Sequence, residues 1–160
     1  MGFPIPPISL NQAVGPPMTH RFGVLFLVTG KFPNPLDIRF QEVSGLEAKI
    51  STRADVSASA TLCHRLTPIG VEYGDLELQR GMVLGSSLMQ QVLDTFNNFK
   101  FTRSDVLLTI FSETGVPTTA YVFSEAYPIG WRVGKLSAVT EDILIESLTL
   151  TYARVRTFSI

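Results

Sequence analysis

The sequence predicts a mainly β protein: a small antiparallel β-barrel or sandwich of six to seven strands with one flanking α-helix. Three observations lead there. The run Phe22 to Val28 is apolar on both faces of an extended chain, so it needs cover from two sides. Runs of β-branched and aromatic residues at Asp105–Glu113 and Thr118–Tyr127 flank Thr114-Gly115-Val116-Pro117, a hairpin signal. Helical periodicity is clear in one stretch, Ser87 to Asn97.

The first 18 residues hold Pro4, Pro6, Pro7, Pro16 and Pro17. Proline fixes φ and removes an N–H, so residues 1–18 read as an extended arm and residues 19–160 as the folded domain. In the first strand Phe22, Val24, Phe26 and Val28 share one face and Leu25 and Leu27 the other, with Gly30 ending it. Pro33-Asn34-Pro35 marks a turn, after which Ile38 and Phe40 keep phase with Leu46, Ala48 and Ile50 across a bend at Ser44-Gly45. Ser51 to Thr67 is small and polar, without a clear period, and reads as a long excursion. Ile69, Val71 and Tyr73 then alternate on one parity and Leu76 and Leu78 on the other, which predicts a bulge near Gly74-Asp75 before Gly81 ends the strand.

Ser87 and Gln90 have capping-box spacing, and Leu88, Met89, Val92, Leu93 and Phe96 make a broad apolar stripe expected to lie on a sheet. On that expectation Leu93 is core and Gln91 is exposed. Pro128 and Gly130 interrupt the chain before Trp131, and a last strand spans Ile143 to Arg156 after the polar stretch Ser137 to Asp142.

Composition adds a quaternary expectation. Charged residues are only 17% and hydrophobic types 45%, at a positive mean hydropathy of +0.24. A domain of 160 residues has much surface for its volume, so surplus apolar side chains are expected to be covered by another subunit. No run approaches the roughly 20 apolar residues of a spanning helix, and the N-terminus lacks the pattern of a secretory signal, so the expectation is cytoplasm at synthesis without stable membrane insertion. Cys63 is the one cysteine, which excludes an internal disulfide, and a net charge of −1 carries no nucleic-acid footprint.

Chemistry-bearing residues do not converge. His20 and His64 are the two histidines, and Cys63-His64 neighbours point to opposite sides of an extended chain. Glu141-Asp142, Asp55, Asp75 and Asp105 read as solvated charges, and Gly81 and Gly85 lack the lysine of a phosphate loop. Arg80 reads as a salt-bridging surface residue before a turn glycine, and Trp131 as a core plug. No catalytic residue, cofactor or metal ligand is expected.

In order, the landmarks are Phe-Gln-Glu-Val-Ser-Gly-Leu from Phe40, Leu-Glu-Leu-Gln-Arg-Gly from Leu76, the helix, and Val-Leu-Leu-Thr-Ile-Phe from Val106. Phe-Ser-Glu-Ala-Tyr-Pro-Ile-Gly-Trp from Phe123 and Ile-Glu-Ser-Leu-Thr-Leu from Ile145 follow. This order resembles the tail tube protein family of contractile-tailed phages and phage-tail-like injection particles, over about Arg21 to Arg156. The resemblance implies a structural, non-enzymatic subunit of a hexameric ring. Rings would stack into a hollow tube within a sheath, on a baseplate and spike hub, and cargo or DNA would pass through without specific binding. It also implies that strands of neighbouring subunits join into one inner barrel.

Within that picture Ser51, Arg53, Asp55, Arg80, Leu93 and Phe96 are the expected subunit or ring contacts, and Ser51 to Thr67 the inter-ring segment. Thr118, Ala120 and Ser124, on the less bulky face of one strand, are the expected channel residues. The arm and a helix without tryptophan differ from common tube subunits, so a baseplate-proximal initiator ring is the second reading. A small-ligand-binding β-barrel is the reading from another class.

Overall fold

A computed structural model describes residues 21–27, 39–55, 65–139 and 141–159. The arm, the end of the first strand at Val28, the Pro33-Asn34-Pro35 turn, Cys63 and both histidines lie outside the described residues. The strands are β1 (Phe22–Leu27), β2 (Glu42–Ser44), β3 (Ala48–Asp55), β4 (Arg65–Tyr73), β5 (Leu76–Gly81), β6 (Ser104–Phe111), β7 (Pro117–Val133), β8 (Ile145–Thr151) and β9 (Arg154–Ser159). The helix α1 (Ser87–Asn98) lies between β5 and β6.

A seven-stranded sheet runs β1-β6-β7-β8-β5-β2, with β9 also on β7, and β3 and β4 form a second sheet of two strands. All pairings are antiparallel, as expected, and the large sheet is not closed in the single chain. The 17-residue β7 organises it. Its first half pairs with β6 and β9, and its second half with β8. Between the halves Glu125 takes a positive φ of 56° where the β6 register shifts, and the strand bends.

This bend divides the sheet into layer A (β1, β6, β9 and the first half of β7) and layer B (β2, β5, β8 and the second half of β7). The core lies between the layers. Val24, Phe26, Val106, Leu108 and Phe123 come from A and Leu76, Leu78, Leu148 and Leu150 from B. Phe123 meets the Tyr152 ring edge-on at 4.8 Å. Burying an aromatic of this size contributes on the order of 2–3 kcal/mol through area alone.

Three expectations change. The predicted last strand is two, β8 and β9, separated at Tyr152-Ala153, yet both lie along the same side of β7. Pro128 and Gly130 do not end β7. Its second half has a described partner only in β8, so the missing proline N–H forfeits no ladder bond on the other edge, and a bulge between Pro128 and Gly130 absorbs the irregularity. The polar excursion from Ser51 is strand at both ends, in β3 and β4; residues 56–64 between them lie outside the described residues.

Helix α1 begins where predicted. Ser86, one residue before the expected cap, is the N-cap, with its Oγ accepting from the Met89 N–H at 3.2 Å. Phe99 ends it in the left-handed conformation. The inward face differs from the expectation: Leu88, Val92 and Thr95 are buried, whereas Leu93 is 39% exposed and Gln91 half-buried. Thr95 is tolerated inside because its hydroxyl bonds back to the Gln91 carbonyl at 2.9 Å.

Candidate assembly surfaces

The β3–β4 pair continues the β2–β5 ladder. Glu42 faces Gln79 and Ser44 faces Glu77; past the junction, where the Gly74 N–H donates to the Glu47 carbonyl at 2.9 Å, Ala48 faces Tyr73 and Ile50 faces Val71 in the same register. Gly45 makes the junction possible. Its φ is +82°, and a Cβ there would sit 1.9 Å from the Asp75 carbonyl oxygen.

Beyond the junction the ribbon leaves the two-layer body. Direct pairing puts Ala48, Ile50, Thr52 and Ala54 on one face with Tyr73, Val71, Pro68 and Leu66, and Lys49, Ser51 and Arg53 on the other with Glu72, Gly70 and Thr67. One face is thus largely apolar and the other polar. Ile50 is 68% exposed, and Leu66, Ile69 and Val71 are each more than half exposed. Glu47 and Lys49 form an exposed pair at 2.8 Å, and that hydrogen bond, then the Glu47 charge, raises the Lys49 pKa. Such an exposed pair contributes little to stability. A two-stranded ribbon is marginal alone, so this apolar face calls for a partner surface.

The expected contact residues distribute unevenly. Ser51 and Arg53 lie on the polar ribbon face and Asp55 closes β3. Leu93 and Phe96 line the exposed side of α1, a second apolar surface. Arg80 does not belong with them. It is only 3% exposed, because it faces Glu146 directly across the β5–β8 ladder on the core side. Its Nε donates to Glu146 Oε1 at 2.5 Å, its Nη2 to Ser86 Oγ at 2.8 Å, and its guanidinium lies over the Phe40 ring at 5.5 Å. Sequence offered no signal for Glu146 or Ser86 as its partners, since Glu146 is 66 residues away and only register joins them.

The two outer faces contrast. On layer A, Ala120 faces Thr109 and Phe158, Val122 faces Leu107 and Arg156, and Ser124 faces Arg154. Thr118 and Ser124 are half-buried and Ala120 buried on this mixed apolar and basic face. On layer B the outward face is mostly polar, with Glu77 and Gln79 of β5, Ser147, Thr149 and Thr151 of β8 and Arg132 of β7, while Ile145 and Tyr127 stand at its two ends. Trp131, expected as a core plug, is 39% exposed at the rim of a water-sized cavity also lined by Phe40, Leu88, Met89 and Glu146. A cavity of about 10 Å³ is far below the several hundred of a ligand pocket, so it lends a ligand-binding barrel no support.

The profile of the T4-like virus tail tube protein gp19 matches residues 18–156. The chain belongs to this tail tube family. Solved structures share the fold. A chain of the anti-feeding prophage baseplate, six-fold symmetrised, superposes at a TM-score of 0.82 with 30% identity, covering 91% of this chain and 97% of the other. A chain of an extracellular contractile injection system, in the PVC sheath–tube complex in its extended state, gives 0.71 at 20% identity, covering 91% and 93%. Hcp1 from Flavobacterium johnsoniae shares the fold at 0.52 and 14% identity, covering 87% and 95%. No curated protein matches the chain. As a family member this is a tail tube protein, a structural component of a phage tail or phage-tail-like contractile particle.

Proposed function

We propose that the chain forms a homo-hexameric ring that stacks with further rings into the inner tube of a contractile tail or injection particle. A sheath surrounds this tube, a baseplate and spike hub sit at its end, and cargo or DNA passes through its channel. The observation that carries this reading is the β3–β4 ribbon, whose apolar face beyond Tyr73 is left exposed by the described residues of its own chain. A neighbouring copy is the cover that a repeating tube supplies at every position, because stacking is open-ended whereas ring contacts close by rotation.

Open edges support the ring. Among the described residues, layer B ends in β2 on one side and in the second half of β7 on the other. Joined head to tail around a ring, these edges make one continuous wall and leave no unpaired edge. Layer B also has the outer face suited to a channel. Glu77, Gln79, Ser147, Thr149 and Thr151 are polar and carry little net charge, so they bind neither apolar protein surface nor polyanion strongly. By the same criterion the face holding Thr118, Ala120 and Ser124, beside Leu107, Phe158, Arg154 and Arg156, is the poorer wall.

A second reading places the ring at the baseplate end, as the initiator between spike hub and tube. It is favoured by the higher similarity to the baseplate chain, 30% identity at 0.82, than to the sheath–tube chain, 20% at 0.71. Negative-stain electron microscopy of the purified protein separates the readings. Hexameric rings stacking into rods support the main tube. Rings that stack only onto a different tube subunit support the initiator, and monomers at all concentrations overturn both.

A further inference from the structure

The apolar stripe of α1 is wider than one packing face. Leu88, Val92 and Thr95 point inward, while Met89, Leu93 and Phe96 continue the stripe sideways, half-buried at Met89 and exposed at Leu93 and Phe96. Adjacent residues on a helix differ by about 100° in direction, so a rotation of about that size would exchange Val92 for Leu93 in the core. Hydrophobicity alone does not choose between these phases. A leucine inside in place of a valine even buries more apolar area.

The Arg80 cluster does choose. Arg80 is held to β8 through Glu146 and at the same time donates to Ser86 Oγ, the atom that caps α1 by accepting from Met89 N–H. The first turn is therefore tied to layer B in one orientation, with Arg80 and Glu146 each about 3% exposed. As a source of stability the cluster is poor. The β5–β8 ladder already pairs these strands, and among the described residues Glu146 Oε2 has no hydrogen-bond partner. Buried ionic groups of this kind are best attested as devices that fix register rather than as stabilisers.

We propose that the Arg80–Glu146–Ser86 cluster is a positioning element that sets the rotational phase of α1, keeping Leu93 and Phe96 outside, where a second copy of this chain covers them. The second half of this statement rests on the tube reading. Membership of a tail tube family and the likeness to a chain of a six-fold symmetrised assembly favour another copy as the occupant of the exposed stripe.

The test reads phase and assembly separately. With Cys63 replaced by Ser, Leu93→Cys and Val92→Cys are introduced one at a time and labelled with maleimide in dispersed subunits. In the parent background Leu93→Cys labels rapidly and Val92→Cys slowly. Combining either with Arg80→Met and Glu146→Leu narrows or reverses that contrast by about tenfold, a change equivalent to one decade in the equilibrium between phases. Should the double replacement not fold, Ser86→Gly cuts the tie while retaining a tolerated N-cap and carries the same test. An unchanged labelling contrast in a folded variant overturns the positioning role. A variant with altered phase that forms rings at the parent's concentration overturns the docking of the helix on a neighbour. If the parent itself never assembles, the tube reading fails and the docking half falls with it, while the labelling still judges the phase.

Discussion

The chain segments 42–55 and 65–81 pass through two environments without changing partners. Near the body, as β2 and β5, they bury Leu76 and Leu78 beneath a second layer; further out, as β3 and β4, they hold Ile50, Leu66 and Val71 in solvent. The hydrogen bonding is of one kind throughout. What differs is the second layer, which among the described residues covers only the first stretch. The ladder thus sets the shape of this ribbon, while burial must come from elsewhere, and in the proposed ring the next subunit is the source at hand.

Four substitutions or conditions probe that contrast, ordered by their expected effect on the stability of the isolated subunit. Phe123→Ala, at the centre of the two-layer body against Tyr152, should cost about 3–5 kcal/mol in denaturant unfolding. A cost below about 1 kcal/mol would mean that the body is not packed as described. Gly45→Ala, at the junction, meets both a left-handed φ and the Asp75 carbonyl, and should cost about 1–3 kcal/mol. Its signature should be regional, with hydrogen exchange accelerated in β3 and β4 while β6 and the first half of β7 stay protected. Uniform acceleration would erase the division between body and ribbon.

Alkali should act on the body through Tyr152. Burial first, then the neighbouring Tyr73 and Asp75, raises the Tyr152 phenol above its ordinary value near 10. The folded state therefore holds this proton to higher pH than the unfolded chain. Its contribution is complete below about pH 10 and declines as pH rises through the folded value. Tyr152→Phe should flatten that part of the melting-temperature profile, and an identical decline in the variant would assign it to other groups. Ile50→Lys, on the exposed ribbon face, should shift subunit stability by no more than about 0.5 kcal/mol. It should nevertheless abolish sedimentable rings or rods at concentrations where the parent forms them. Normal assembly of Ile50→Lys would remove the ribbon from the interface.

Much of the body was legible in the sequence because its signals are local. Phe22 to Leu27, the turn at Thr114–Pro117 and the start of α1 all follow from alternation, turn residues and capping, whereas the bulge expected near Gly74-Asp75 is an in-register break between β4 and β5. The passage of β7 through Pro128 was not legible, since proline's tolerance there depends on an edge without a described partner, a property of the sheet. Leu93 and Val92 are adjacent and both apolar, so nothing local says which faces inward. The ribbon was obscured because an uncovered strand pair uses small residues such as Ala48, Thr52 and Ala54, and a bulge near Ile69 and Gly70 shifts the phase on β4. Arg80 read as a surface cation because its cross-strand carboxylate lies far along the chain, and no spacing rule connects them.

The sharing of β7 between both layers also dictates an order of events during synthesis. Layer A needs β7 between β6 and β9, and layer B needs β8 between β7 and β5, so neither can close until the last third of the chain has emerged. The ribbon strands, by contrast, are complete by Gly81. A nascent subunit therefore exposes the greasy side of these two strands before it owns a core, and on a polysome many such segments are held close together. Premature pairing between them competes with productive folding, and long-range strand closure is the slow step that lengthens the exposure.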